Sequence, residues 1–322
     1  MIHHLSLRHV FALSLISVAA GCTSSPTSPQ YNPTGDTQLT VALGMRPYGL
    51  ALAGGDAFVT QLDGATVSRI SLSSLSVAAT AYSVGPVPTG AALSPDASLL
   101  LVSNQADASV SLVQTYSRET LARFSTTGSP LRVLFSPDGT RGYATTGSGA
   151  LAVFDIPGRR VVVSLSTGLG PINGIAFSPD GASLYLSATS GGIATVDPRT
   201  NSVVRTYPLA GQLQEVVPSP EGDVLYVADE SGGIATLSLA SGQVTRSTVA
   251  RVFGLAISGD RSKLWATQPF DGTVTILDRV SGSAPHVVSL RDSSAATPRR
   301  VAFDRDGSAV VTDEAGFVHL FR

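Results

Sequence analysis

Pro130-Leu131-Arg132-Val133-Leu134-Phe135-Ser136-Pro137-Asp138-Gly139 returns, one residue longer, as Pro171-Ile172-Asn173-Gly174-Ile175-Ala176-Phe177-Ser178-Pro179-Asp180-Gly181. Each copy is a short apolar run that ends in a tight turn. Pro presets φ, Asp hydrogen-bonds its own backbone, and Gly accepts a positive φ. Ser94-Pro95-Asp96-Ala97, Ser219-Pro220-Glu221-Gly222, Ser258-Gly259-Asp260 and Asp304-Arg305-Asp306-Gly307 are variants of the same turn. Downstream lies a second apolar run, such as Leu99 to Val102 or Leu184 to Leu186. A further turn and an alternating strand follow, as at Leu151 to Phe154 or Val274 to Leu277, and a last strand closes the unit, as at Val161 to Leu165 or Val203 to Tyr207.

Four residues before each turn stands a register column: Gly49, Gly90, Arg132, Gly174, Glu215, Gly254 and Arg300, with successive members 39 to 46 residues apart. Four short strands in that span make one blade of a β-propeller, and the column has seven members. The period also decides Ser117 to Phe124, which looks helical alone but falls where a turn and a fourth strand belong. The last unit holds three strands and ends at Arg322, while Gln38 to Leu43 is one strand not yet used. The expectation is therefore an all-β, seven-bladed propeller over 38–322, with four antiparallel strands per blade and 28 in all. The amino-terminal strand completes the last blade, which leaves no open sheet edge in the ring.

The Pro-x-x-Val-x-Phe-Ser-Pro-Asp-Gly pattern of 130–139, with the apolar strand after it, resembles the YVTN family of β-propeller repeats. The resemblance covers about Gln38 to Arg322; its name motif is kept only in part, nearest at Tyr226-Val227-Ala228-Asp229 and Leu101-Val102-Ser103-Asn104. It implies a seven-bladed protein of the bacterial or archaeal envelope. Tryptophan–aspartate repeats do not fit, since the single Trp, Trp265, precedes Ala266.

Residues 1–21 read as an export signal: Arg8 and three histidines, an apolar stretch from Val10 to Ala20, then small residues before Cys22. The apolar stretch is too short to cross a bilayer, which takes about 20 residues. Ala19-Ala20-Gly21-Cys22 resembles a bacterial lipobox, although Ala19 stands where Leu is commoner; plain cleavage near Ala20 is the alternative. Cys22 is the only cysteine, so an internal disulfide is impossible and acylation gives the thiol a role. Residues 22–37, rich in Pro, Gly, Ser and Thr, form a flexible tether. The expected location is the bacterial cell envelope, lipid-anchored, and Thr23 after the cysteine leans toward the outer membrane, facing periplasm or cell surface.

The search for chemistry excludes more than it nominates. A formal charge of −2 with scattered arginines speaks against nucleic acid. His286 and His319 are the only histidines after the signal, so no zinc spacing exists, and Asp304-x-Asp306 is followed by Ser308 and Ala309 where a calcium loop needs other residues. Gly147-x-Gly149-x-x-Ala152 matches a relaxed dinucleotide fingerprint but opens no helix. No catalytic residue, metal or cofactor is expected. What remains is geometry. First strands line a propeller's channel, so the column sets Arg132, Glu215 and Arg300 at its mouth, preceded in their blades or neighbouring ones by Tyr48, Asn173, Gln214, Phe253 and Arg299. Guanidinium forks there favour an anionic group, although the same charges could simply be solvated. The expected function is an envelope-associated, monomeric binding or scaffolding module for an unidentified protein, glycan or small anion. A lactonase-like or other hydrolase on the same frame is the alternative.

Overall fold

A computed structural model describes residues 37–322 apart from 191, 280, 282 and 291–294. The expected signal segment, Cys22 and all of the tether but Thr37 lie outside the described residues.

Seven antiparallel sheets follow one another around a ring. Their inner strands are Pro47–Ala53, Pro88–Leu93, Pro130–Phe135, Ile172–Phe177, Leu213–Pro218, Leu255–Ile257 and Pro298–Phe303, numbered here as blades 1 to 7. Each chain segment then steps outward strand by strand. Gln38–Ala42 pairs antiparallel with Phe317–Phe321, from Gln38 opposite Phe321 to Ala42 opposite Phe317, and so supplies the outer strand of blade 7. Segment Thr120–Ser125 is the outer strand of blade 2, as the period required.

One detail differs from 28 simple strands. The outer strand of blade 1 is broken into Ser76–Val77 and Tyr82–Ser83, both paired to Thr66–Ser71. Tyr82 is fully buried, lies 5.7 Å from the Phe58 ring and donates from its hydroxyl to Thr115 O of blade 2 at 2.8 Å. Anchoring that ring between two blades diverts the strand from its straight path.

Middle strands read as unbroken apolar runs because each sheet is covered on both faces by its neighbours. Leu100, Leu101 and Val102 are all wholly buried, whereas the outer strand Arg160–Ser166 is largely exposed. The described core falls into seven clusters, one for each junction between blades. Leu101, Phe124, Val133 and Phe154 join blades 2 and 3. Trp265, Val311 and Phe321 join blades 6 and 7, with Trp265 edge-on to Phe303 and Phe321. Val41, Val59, Ile70 and Val310 join blades 7 and 1, so the amino-terminal strand is packed into the ring as well as hydrogen-bonded to it. A buried aliphatic side chain contributes about 1.5–3 kcal/mol, and closing the ring lets every blade bury both faces.

Around the channel the register column explains the close packing. A Cβ on Gly49, Gly90, Gly174 or Gly254 would meet the next blade's backbone carbonyl at 2.5, 2.7, 2.4 and 2.3 Å. Beside each lies a hydroxyl from the second strand. Thr60, Ser103 and Thr267 accept the N–H of Gly49, Gly90 and Gly254 at 2.7, 2.7 and 2.8 Å. Ser103, Ser187, Thr267 and Thr312 then donate to the carbonyls of Leu131, Gln214, Arg299 and Tyr48 in the following blade. These hydroxyls stitch inner strands to one another where a propeller has no sheet continuity.

Candidate functional site

A bulge in six of the seven inner strands, seen where pairing shifts between Pro130 and Val133 or Pro298 and Val301, falls at the column residue or beside it. Three column positions carry charge. Arg132 from blade 3 and Arg300 from blade 7 both donate to Oε2 of Glu215 from blade 5, the second at 2.5 Å. The ion triad thus reaches across the channel between alternate blades. Its members are only 13, 6 and 17 % exposed in the order Arg132, Arg300, Glu215.

Electrostatics inside this cluster are strong because water is scarce. Burial pushes Arg132 down, and the Arg300 charge beside it adds to that, so it falls from its ordinary value to about 10 even with Glu215 as a partner. Burial pushes Glu215 up, but the two guanidiniums outweigh it and hold the carboxyl below its ordinary value. The triad carries one net positive charge.

Arg299 and the two aromatic residues complete the mouth. Tyr48 and Phe253 meet edge-on at 6.1 Å. The Arg299 and Arg300 guanidinium carbons lie 4.7 and 4.6 Å from the Phe253 ring centre, and 5.8 and 5.6 Å from that of Tyr48. Arg299 Nε stands 3.1 Å from Glu314 Oε1 in an ion pair without the alignment of a hydrogen bond, and its Nη1 is 4.0 Å from Glu230 Oε1. Gln214 Nε2 donates to Glu230 Oε2 at 2.8 Å, and Asn173 Nδ2 donates to Thr189 Oγ1 at 2.7 Å. All eight residues expected at the mouth therefore line or flank one opening: Tyr48, Arg132, Asn173, Gln214, Glu215, Phe253, Arg299 and Arg300.

Beneath them is a cavity of about 70 Å³, lined by Thr89 and Gln105 as well as Tyr48, Leu131, Arg132, Asn173, Gln214 and Arg300. Reading by the column missed Gln105; Glu230 and Glu314 lie on the loops that the same register sets around the mouth. Gln105, Glu230 and Glu314 each come directly after the second strand, so the repeat register itself could have located Gln105 as well.

Other acids of the mouth loops are structural. Asp229 Oδ1 accepts from Gln212 N, Ser231 N and Ser231 Oγ, and its Oδ2 accepts from Arg246; these contacts overcome burial and hold it below its ordinary value. Asp313 accepts from Thr297 N at 2.6 Å and Ala315 N at 2.9 Å and lies 3.2 Å from buried His319. Asp304 and Asp306 form a blade turn, with Gly307 N bonded to Asp304 O and Ser308 N to Asp306 Oδ1. Among the described residues no group of three or more His, Cys, Asp or Glu could hold a metal ion.

A larger groove of about 520 Å³ runs between blades 3 and 4 on the opposite side, with Pro137, Tyr143, Phe177 and Pro179 in its walls. Its carboxylates are engaged locally: Ser136 and Ser178 donate to Asp138 and Asp180 at 2.5 Å. Arg141 donates to Pro198 O and Asn201 Oδ1. No buried charge faces it, so the channel mouth is the better candidate despite its smaller volume.

Fold and site together define a seven-bladed β-propeller with a polar, arginine-rich channel mouth. It is similar to a solved structure titled Kuenenia stuttgartiensis Hydrazine Synthase, with a TM-score of 0.77 at 20% identity, over 89% of this chain and 98% of that one. That likeness shows the fold. In all, 1863 solved chains match, and a frame so widely shared names no activity. No protein-family model matches the chain, and no curated protein matches it by sequence. The likeness to YVTN repeats rests on the residues quoted for it.

Proposed function

We propose that this chain is a YVTN-like propeller lipoprotein of the bacterial envelope that binds its partner at the channel mouth and performs no chemistry there. The observation that carries the reading is the stacking of Arg299 and Arg300 on Tyr48 and Phe253 at one end of the channel. Guanidiniums fixed on aromatic faces lose little freedom when a ligand arrives, which is how a rigid mouth gains affinity. The surrounding carboxylates are committed to arginines or to backbone N–H groups, an arrangement that positions donors and leaves no free general base. Acylated Cys22 and the tether of 22–37 would hold this mouth near the outer membrane, facing the periplasm or the cell surface.

The test is a thermal-shift screen of residues 23–322 against sugar phosphates, lactones, peptidoglycan fragments and divalent cations. A shift lost in Arg299→Ala, without turnover, supports binding. Lactone hydrolysis abolished by Arg300→Ala would overturn it in favour of the hydrolase. Membrane fractionation of Cys22→Ser checks the anchor, since unchanged partitioning refutes acylation.

A further inference from the structure

Size and charge of the channel cavity restrict its occupant further than the mouth alone does. Among the described residues that line it none is acidic, and its polar walls are hydroxyls, amides and two guanidiniums. Arg300 is 5 % exposed, lines the cavity, and its buried Nε has no hydrogen-bond partner. A buried guanidinium N–H left unpaired costs more than a neutral one, because charged donors are the strongest. Arg132 reaches Glu215 through Nη2, and it too lines the cavity. One carboxylate between two arginines leaves the triad itself with a single net positive charge.

Volume sets the other limit. About 70 Å³ is room for roughly two waters at about 30 Å³ each. A sugar, a nucleotide or a sugar phosphate does not fit in that space. A halide, a nitrate or one carboxylate group does.

Resting on the reading of a binding mouth, we propose that the cavity holds one monoanionic group no larger than a carboxylate, bound against the faces of Arg132 and Arg300 that line it. The anion completes the charge balance of the triad. Two sources share this chemistry: a free small anion, or the carboxylate end of a larger molecule entering through the mouth. The lowered proton affinity of Arg132 fits this arrangement, because burial and the charge of Arg300 already oppose its protonation and an anion would relieve both.

The experiment uses residues 23–322 at constant ionic strength in a gluconate background, an anion too large for the cavity. Sodium bromide, sodium formate and diglycine are titrated separately, with thermal shift and calorimetry as readouts. Crystals grown with bromide are measured for an anomalous peak within hydrogen-bond distance of the Arg132 or Arg300 guanidinium. Saturable binding of bromide and formate, with the peak in place, assigns a free ion; binding of diglycine alone assigns the carboxylate end of a larger ligand. Removing one positive charge in Arg132→Gln should weaken binding by at least about tenfold, and removing the negative charge in Glu215→Gln should strengthen it on the order of tenfold. A purely structural triad would give opposite charges no opposite effects. No specific binding of any of the three, with no bromide peak in the wild-type chain, overturns the proposal even if neither variant folds. That result would leave the Arg299-dependent screen standing, and failure of the screen with bromide bound would leave the anion site standing.

Discussion

The seven column positions divide into two kinds, and the difference is visible in how the blades sit. Blades 1, 2, 4 and 6 carry glycine, whereas blades 3, 5 and 7 carry Arg132, Glu215 and Arg300. A Cβ at any of the four glycine positions would come within 2.7 Å of the next blade's backbone carbonyl, so those positions have no room for a side chain. One backbone position therefore serves two purposes. As glycine it lets the neighbouring blade close in on the channel wall. As a charged residue it puts a guanidinium or carboxylate on the axis. The alternation places the charged residues two blades apart, which lets them meet across the channel.

The largest effect that separates the two kinds should come from the charged one. Glu215→Leu leaves Arg132 and Arg300 facing each other with no counter-charge, and loss of one partner of a buried ion pair typically costs about 3–5 kcal/mol. Urea unfolding should show that drop, while a combined Arg132→Met, Glu215→Leu, Arg300→Met variant should recover most of it. An unchanged midpoint for Glu215→Leu would mean that water already screens the triad. Acid tests the same contact. The folded-state value of Glu215 lies below 4.5, so its contribution is complete above pH 4.5 and is lost as pH falls through the depressed value. Stability of the wild-type chain should fall over that range more steeply than that of Glu215→Gln.

On the glycine side, Gly174→Ala puts a methyl 2.2 Å from Ser187 Oγ and 2.4 Å from Gln214 O. Overpacking of this kind costs about 1–3 kcal/mol. Gly147 offers the control, since its nearest neighbour would be Ser129 O at 3.7 Å. Gly147→Ala should lie within about 0.5 kcal/mol of wild type. Equal losses at both sites would refute close approach as the reason for the column glycines. Thr267→Val removes an acceptor for Gly254 N and a donor to Arg299 O, and leaving both buried partners unpaired costs about 1–3 kcal/mol. Hydrogen exchange at Gly254 N should accelerate along with it.

How much of this was legible in sequence follows from what repeats. The Ser-Pro-Asp-Gly turn recurs because every blade makes the same inner bend, so its spacing yields blade number, strand order and the pairing of Gln38–Ala42 with the last blade. The same register put Arg132, Glu215 and Arg300 at one level of the channel, and the structure brings them into contact. What it withheld were consequences of distance across the ring. No spacing says that blades 3, 5 and 7 lie within reach of one another through long side chains, or that Glu230 and Glu314 fold back on Arg299. The hydroxyl stitch was present as a pattern, Thr60, Ser103, Thr145, Ser187, Thr267 and Thr312 near the ends of second strands, but its meaning depends on a carbonyl contributed by another blade.

Blade 5 is the exception to that pattern, because Ala228 stands where the others have Ser or Thr. A charged column residue does not by itself undo the stitch. Thr312 of blade 7 accepts from Arg300 N at 3.1 Å and still donates to Tyr48 O of blade 1 at 2.7 Å, as Ser103 and Thr267 do beside glycines. Thr145 of blade 3 accepts from Arg132 N at 3.1 Å. Ala228→Ser should restore the stitch in the form Thr312 makes it, accepting within its own blade and donating to the inner strand of blade 6, for a net gain of about 0.5–1.5 kcal/mol read as a rise in the urea midpoint. No gain would mean that the blade 6 carbonyl lies beyond reach at this one junction.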